Sequence, residues 1–271
     1  MLGLLVTATL PGLAAAQLRV VVVPGLEVGD LSALTDRAAV GLLVPDAGPD
    51  TSAERARAAL ERGAVRNSIL GGLPEGEARL DVETAASPPT GPAIVLGLPE
   101  GGEQPNDRRY PIAVVGEGYR GVLTSGSTRI PGLVSVVDVA PTALGEDGAL
   151  GSTADDDPLG ALAELDRRID ANRDAKAVVL LLALALIVAV AVFLPAAVLP
   201  AFGAVLLANL ALGAAGATEA WADALVLVLS VGLSLLLARA GPVEHGLLMA
   251  GVLAAYLAAM AIDERWVALS P

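Results

Sequence analysis

Residues 177–216 read AVVLLLALALIVAVAVFLPAAVLPAFGAVLLANLALGAAG, forty consecutive positions without a charge, and the chain from there to Pro271 is only slightly less apolar. As a single helix rising about 1.5 Å per residue the block would extend roughly 60 Å, twice a hydrocarbon thickness of about 30 Å, so it is expected to cross a bilayer twice. Pro195 and Pro200 lie near its middle, where missing N–H donors and ring clashes break a helix. They place a turn between a first span over 177–194 and a second over 201–217. Trp221 leads a third apolar run that ends at Leu237, and a fourth over 246–262 is followed by Trp266, the two Trp residues suiting opposite interfacial belts. Residues 177–271 thus read as an all-α transmembrane bundle of about four helices. Asn209, Ser230 and Ser234 are its polar side chains fit for interhelical hydrogen bonds, and the span interiors hold no acid or base, which counts against an ion-coupled pore.

Upstream of the block, Leu159, Leu162, Leu165 and Ile169 recur at helical spacing from Pro158, so 158–176 is expected to form an amphipathic connecting helix. Residues 1–17, MLGLLVTATLPGLAAAQ, end in a small-residue pattern suited to signal peptidase and read as an export signal, the alternative being an uncleaved N-terminal anchor. Either reading puts 18–176 outside the cytoplasm and the protein in the plasma membrane as a multi-pass chain, with 18–157 its extracytoplasmic α/β domain. Arg239 on the inner side and the base-free turn bearing Glu219 and Asp223 on the outer side agree with a positive-inside orientation, whereas Arg167, Arg168, Arg173 and Lys176 run against it.

Within 18–157, short apolar runs at 18–23, 40–44, 93–98, 112–115 and 133–137 read as buried strands. The segment 51–62 reads as a helix, with Thr51 and Glu54 at capping-box spacing. Strands separated by helical segments predict an α/β exported domain with a small parallel or mixed sheet. The Gly- and acid-rich stretches 100–109 and 145–157 read as loops.

Of the 30 acids and 17 bases in the chain, five acids and two bases lie from Ala177 onward, leaving 25 acids against 15 bases in the rest. An acidic surface of that kind repels nucleic acid, so none is expected as a partner. Cys is absent, which excludes disulfides, thiolate catalysis and Cys-ligated metal. The single His, His245, lies outside the α/β domain beside Glu244 and reads as an interfacial loop residue.

Three local patterns invite a functional reading. Gly116-Glu117-Gly118-Tyr119-Arg120-Gly121 matches G-x-G-x-x-G after a strand, but a strand-like Val-Leu-Thr follows where pyrophosphate binding needs a helix N-terminus, so a tight turn is expected. In Thr124–Arg129, Ser125, Ser127, Thr128 and Arg129 could hold a phosphate or sulfate through hydroxyls, backbone N–H and guanidinium, and the competing reading is a polar loop. Asp155-Asp156-Asp157 lacks the spaced ligands and Gly turn of a Ca²⁺ loop and reads as a solvated cap before Pro158.

The stretch 121–144, GVLTSGSTRIPGLVSVVDVAPTAL, resembles the late segment of the alkaline phosphatase, sulfatase and phosphoglycerate mutase superfamily, where a strand ends in an Asp-x-x-Pro-Thr turn, here Asp138, Pro141 and Thr142. It is similar, more closely, to a group of bacterial envelope proteins that join such a domain to a multi-span bundle, with GAVRNSILGG at 63–72 as an earlier matching piece. Physically, Asp138 is placed to cap the new helix and Pro141 to sit in its first turn. The resemblance implies a two-metal site of Asp and His ligands beside a nucleophile. This chain departs from it: Pro24-Gly25-Leu26 follows the first strand and Gly97-Leu98-Pro99 follows the strand at 93–98, where the ligands would stand. No catalytic residue, metal ligand or cofactor is therefore expected. The expected function is a non-catalytic domain that binds or scaffolds at the cell envelope, its partners the lipid bilayer and an envelope component or membrane protein. The alternatives are a phosphate- or sulfate-ester hydrolase or transferase, with Thr51 or Ser52 as nucleophile, and a transporter component. Because proteins of the resembled group continue with further spans, the terminal AIDERWVALSP reads as the end of a piece of a longer chain.

Overall fold

The computed structural model describes residues 17–45, 50–64, 77–99, 103–105, 108–146, 149–193, 195–215 and 242–262. The N-terminal signal or anchor, most of the 63–72 piece, the third span and Trp266 lie outside the described residues. Two compact units divide the chain after Leu159.

In the first unit the strands are β1 (Arg19–Val22), β2 (Ala38–Val44), β3 (Asp50–Ser52), β4 (Val82–Thr84), β5 (Ala93–Leu96), β6 (Glu103–Pro105), β7 (Tyr110–Val115), β8 (Gly121–Ser125), β9 (Leu133–Ser135) and β10 (Leu150–Thr153). Eight of them form one mixed sheet in the order β10-β8-β2-β7-β5-β1-β4, with β9 also paired to β2. β1 runs parallel to β4 and β5, and β2 parallel to β8 and β9. β7 is antiparallel between β2 and β5, so it joins two parallel halves, and β10 closes the β8 edge antiparallel. β3 and β6 form a separate antiparallel pair. The expected mixed α/β sheet is therefore present.

Burial explains why the central strands read as uninterrupted apolar runs. All four residues of β5 and the first six of β2 are buried, the signature of a sheet covered on both faces. On one face Val20, Val22, Leu43, Ile94, Leu96, Ile112 and Val114 pack with Ala56, Ala59 and Leu60 of helix α1 (Ala53–Arg62) and with Val139 and Ala143 of the short helix α2 (Val139–Ala143). The helix at 53–62 begins one residue later than its capping-box pattern suggests. Ser52 is the N-cap and accepts from Arg55 N at 3.2 Å, while Thr51, one position earlier in β3, is fully buried. Gly63 ends α1 at φ +61°. Ser52→Ala is expected to cost about 1 kcal/mol through loss of that cap. Urea denaturation followed by far-UV circular dichroism checks it.

The turn 116–121 carries no helix: Gly118 and Gly121 sit at φ +85° and +76° and β8 follows directly, as expected for a tight turn. Within it, burial pushes the Tyr119 phenol above its usual value.

The second unit corrects the reading of 177–271. Helix α3 (Pro158–Phe193) runs through the expected boundary at 176 without a break, helix α4 (Val198–Ala215) follows a single 3-10 turn over Pro195–Ala197, and helix α5 (Pro242–Ile262) comes later. No helix among the described residues is long and apolar enough to cross a membrane. The transmembrane bundle, and with it the multi-pass plasma-membrane placement, is overturned. The physical reason lies in how the charge-free block is cut. Lys176 and the ion-paired first half of α3, including Arg167–Glu164 at 2.6 Å, leave only 177–193 apolar in that helix. α4 has 18 residues with Pro200 in its first turn, and Glu244 and His245 shorten the apolar part of α5 to 246–262. Each piece has 17 or 18 residues, the bottom of the range of about 17 to 25 over which a helix spans a hydrocarbon core of about 30 Å, so none has length to spare. Inside this unit Val190, Ala197 and Ala201 pack together, and Tyr256 Oη donates to Leu206 O at 2.9 Å, tying α5 to α4.

Candidate functional site

Two places in the first unit gather chemistry-bearing side chains. The first is the loop after β8. Ser125 closes that strand, and the turn that follows returns the chain to β9, with Arg129 at φ +57° and its N–H donating to Ser125 O at 2.9 Å. Asp138, 7 % exposed, receives this loop. Ser125 Oγ donates to its Oδ2, Ser127 N to the same oxygen at 3.1 Å, and Ser127 Oγ to Oδ1 at 2.7 Å. Thr128 is turned inward as well: its N–H donates to Ser125 Oγ at 3.3 Å and its hydroxyl to Leu133 O at 2.5 Å.

Ser125, Ser127 and Thr128 thus lie together in this loop, with their donors directed at protein acceptors. The carboxylate of Asp138 stands where a bound oxyanion would have to stand. Helix capping by Asp138, by contrast, does not occur. Its backbone is in the α region (φ −85°, ψ −10°), closing a 3-10 turn over Val136–Asp138, so the side chain makes no cap hydrogen bond. A cap needs an extended residue whose oxygen reaches forward along the helix. Pro141 does lie in the first turn of α2, and Thr142 donates to Asp138 O at 2.8 Å while accepting from Leu150 N at 3.0 Å, linking the motif to β10.

The second place is a cavity of about 140 Å³ at the carboxyl ends of the parallel strands β1, β4 and β5. Val22, Thr84 and Leu96 lie in register there, and the chain leaving β1 and β5 contributes Pro24, Leu98 and Pro99 to the wall. α1 supplies Ala53 and Arg57. Open α/β sheets bind ligands at this edge. These are the segments where the resembled superfamily would carry metal ligands, and here they present valine, leucine and proline.

Arg57 is the one charged residue of the wall, and its geometry is fixed. Nε donates to Glu61 Oε1 at 2.9 Å, one turn along α1, and Nη1 to Thr84 Oγ1 at 3.0 Å; Nη2 donates to Val82 O. Three of the five guanidinium N–H groups are thereby engaged and the charge is compensated by Glu61. Among the described residues, no group of three or more Asp, Glu, His or Cys is placed to hold a metal ion. Thr51, fully buried, has a hydroxyl without a hydrogen-bond partner among the described residues, while Ser52 is engaged as the cap of α1. Sequence reasoning missed Arg57 and Thr84. The i, i+4 spacing of Arg57 and Glu61 is visible in the chain, but β4, which brings Thr84 to them, is three residues long and mostly exposed.

No protein-family model, curated protein or solved structure matches the chain.

Proposed function

We propose that the α/β domain over 18–157 is a non-catalytic binding module, a degenerate relative of the alkaline phosphatase, sulfatase and phosphoglycerate mutase superfamily. The observation that carries this reading is the composition of the cavity wall at the sheet's carboxyl edge. Phosphate- and sulfate-ester chemistry on such a scaffold needs several hard or imidazole ligands converging on a divalent cation. The wall offers Pro24, Leu98 and Pro99 at the strand ends, and its single charged residue is a guanidinium, which has only donors and cannot ligate such a cation. The two hydroxyls nearest the start of α1 are also poorly suited to attack an ester, since Thr51 is fully buried and Ser52 is occupied by the helix cap. A wall of this kind retains the shape of a binding site without the electrostatics of hydrolysis.

The full chain incubated with p-nitrophenyl phosphate or p-nitrophenyl sulfate in Zn²⁺, Mg²⁺ or Mn²⁺ is expected to release no nitrophenol above the uncatalysed background, with or without EDTA. Metal-dependent turnover that EDTA abolishes overturns the reading.

A further inference from the structure

The cavity at the carboxyl ends of β1, β4 and β5 has a definite size, polarity and charge, and together they select a ligand class. Resting on the binding-module reading, we propose that it takes a small neutral molecule with an apolar body and one hydrogen-bond acceptor, the chemistry of a compact ketone, and that Arg57 donates to that acceptor. Three observations lead there. At about 140 Å³ the space matches a single ring, since an apolar cavity of about 150 Å³ accommodates one benzene. Val22, Ala53, Leu98, Pro24 and Pro99 supply an apolar wall, and its one side-chain acceptor, Thr84 Oγ1, already accepts from Arg57. Arg57 retains two guanidinium N–H groups beyond the three given to Glu61, Thr84 and Val82, so the wall holds more donors than side-chain acceptors.

Charge decides between a neutral ligand and an anion. Glu61 at 2.9 Å already neutralises Arg57, and the surrounding domain is strongly acidic, so a carboxylate or phosphate meets no net attraction and a repulsive long-range field. A neutral acceptor escapes that repulsion and still gains a charge-assisted hydrogen bond in a partly desolvated site.

The test is ligand-observed NMR on the full chain with cyclohexanone as probe, beside cyclohexanecarboxylate and inorganic phosphate. Saturable cyclohexanone binding is expected, unchanged between low salt and about 0.5 M NaCl because no ion pair forms. Arg57→Gln should weaken it about tenfold, the loss of one hydrogen bond to a charged donor. Ala53→Leu, a substitution at the first position of α1 that fills the cavity and suits a helix, should abolish it while leaving Arg57 in place. Absent saturation, equal binding by Ala53→Leu, or tighter and salt-sensitive binding of cyclohexanecarboxylate or phosphate overturns the proposal. If cyclohexanone fails while nitrophenyl esters remain uncleaved, the ligand class is wrong and the binding-module reading stands; metal-dependent ester cleavage removes both.

Discussion

Asp138→Ala is expected to destabilise the α/β unit by about 2 to 3 kcal/mol, because it strips the acceptor from three donors, one of them the buried Ser125 hydroxyl. The carboxylate takes the Ser125 hydroxyl and both the N–H and hydroxyl of Ser127, and it is 7 % exposed. A neutral hydrogen bond contributes about 1 kcal/mol, but one to a charged acceptor contributes about twice that, and the Ser125 hydroxyl, left unpaired at a buried position, carries its full desolvation cost, whereas exposed Ser127 can turn to water. Asp138→Asn should cost less, about 1 to 2 kcal/mol, since its amide oxygen keeps one acceptor position and its NH₂ must displace the other. Ordering the two variants is the discriminating part, because a purely steric role for Asp138 would make Asn harmless. Amide hydrogen exchange across 122–135 in the full chain reads the effect where it arises. Both variants should lose protection in β8 and β9, Ala more than Asn, while α5 stays unchanged.

The behaviour of Asp138 also shows where reading the chain one segment at a time stops working. Asp followed three residues later by Pro looks locally like a helix cap, but the donors that claim its carboxylate are 11 to 13 residues upstream and arrive only through the β8–β9 turn. Thr51 and Ser52 pose the same difficulty. Either hydroxyl can cap a helix, and both residues pair with β6, more than fifty residues on, where Thr51 is fully buried and Ser52 is left to meet Arg55 N. Buried central strands were legible because β2, β5 and β7 must be apolar on both faces. β4 and β10 were not, since VET and LGST are polar edge segments whose only strand signal is the neighbour that pairs with them. The cavity was half legible: Pro24, Leu98 and Pro99 stand out as apolar residues at strand ends, whereas Arg57 and Thr84 acquire meaning only once α1 lies against β4.

For 177–216 the failure is one of length. Forty charge-free residues set a total, and a total says nothing about where helices stop. The described helices end at Phe193 and Ala215, and the pieces between the charged first half of α3, the Pro195–Ala197 turn and Pro200 lie at or below the lower limit of about 17 residues for crossing a hydrocarbon core.

Gly121→Ala is expected to be the most damaging single-methyl addition in the α/β unit, at about 3 to 5 kcal/mol, from backbone strain together with overpacking. Gly121 opens β8 at φ +76°, where an L side chain is strained in any surroundings, and a Cβ there would lie 2.3 Å from Thr153 O, 2.6 Å from Asp155 N and 3.0 Å from Ala154 C. All three atoms are backbone, so no rotamer change relieves the contact. The clash falls on the strand that β10 pairs with, in the register Val122 to Thr153, so the expected relief is separation of β10 from the sheet edge. That would also release Thr142 from Leu150 N and loosen the Asp138 motif from behind. Gly118 supplies the control: its φ is +85° but nothing lies within 4 Å of its would-be Cβ, so Gly118→Ala should lose only the conformational part, about 1 kcal/mol. Thermal unfolding of the two variants, with hydrogen exchange at 150–153 as the local probe, separates strain from collision. Equal losses in the two would mean that the approach of Thr153 and Asp155 to Gly121 is not a fixed contact of the fold.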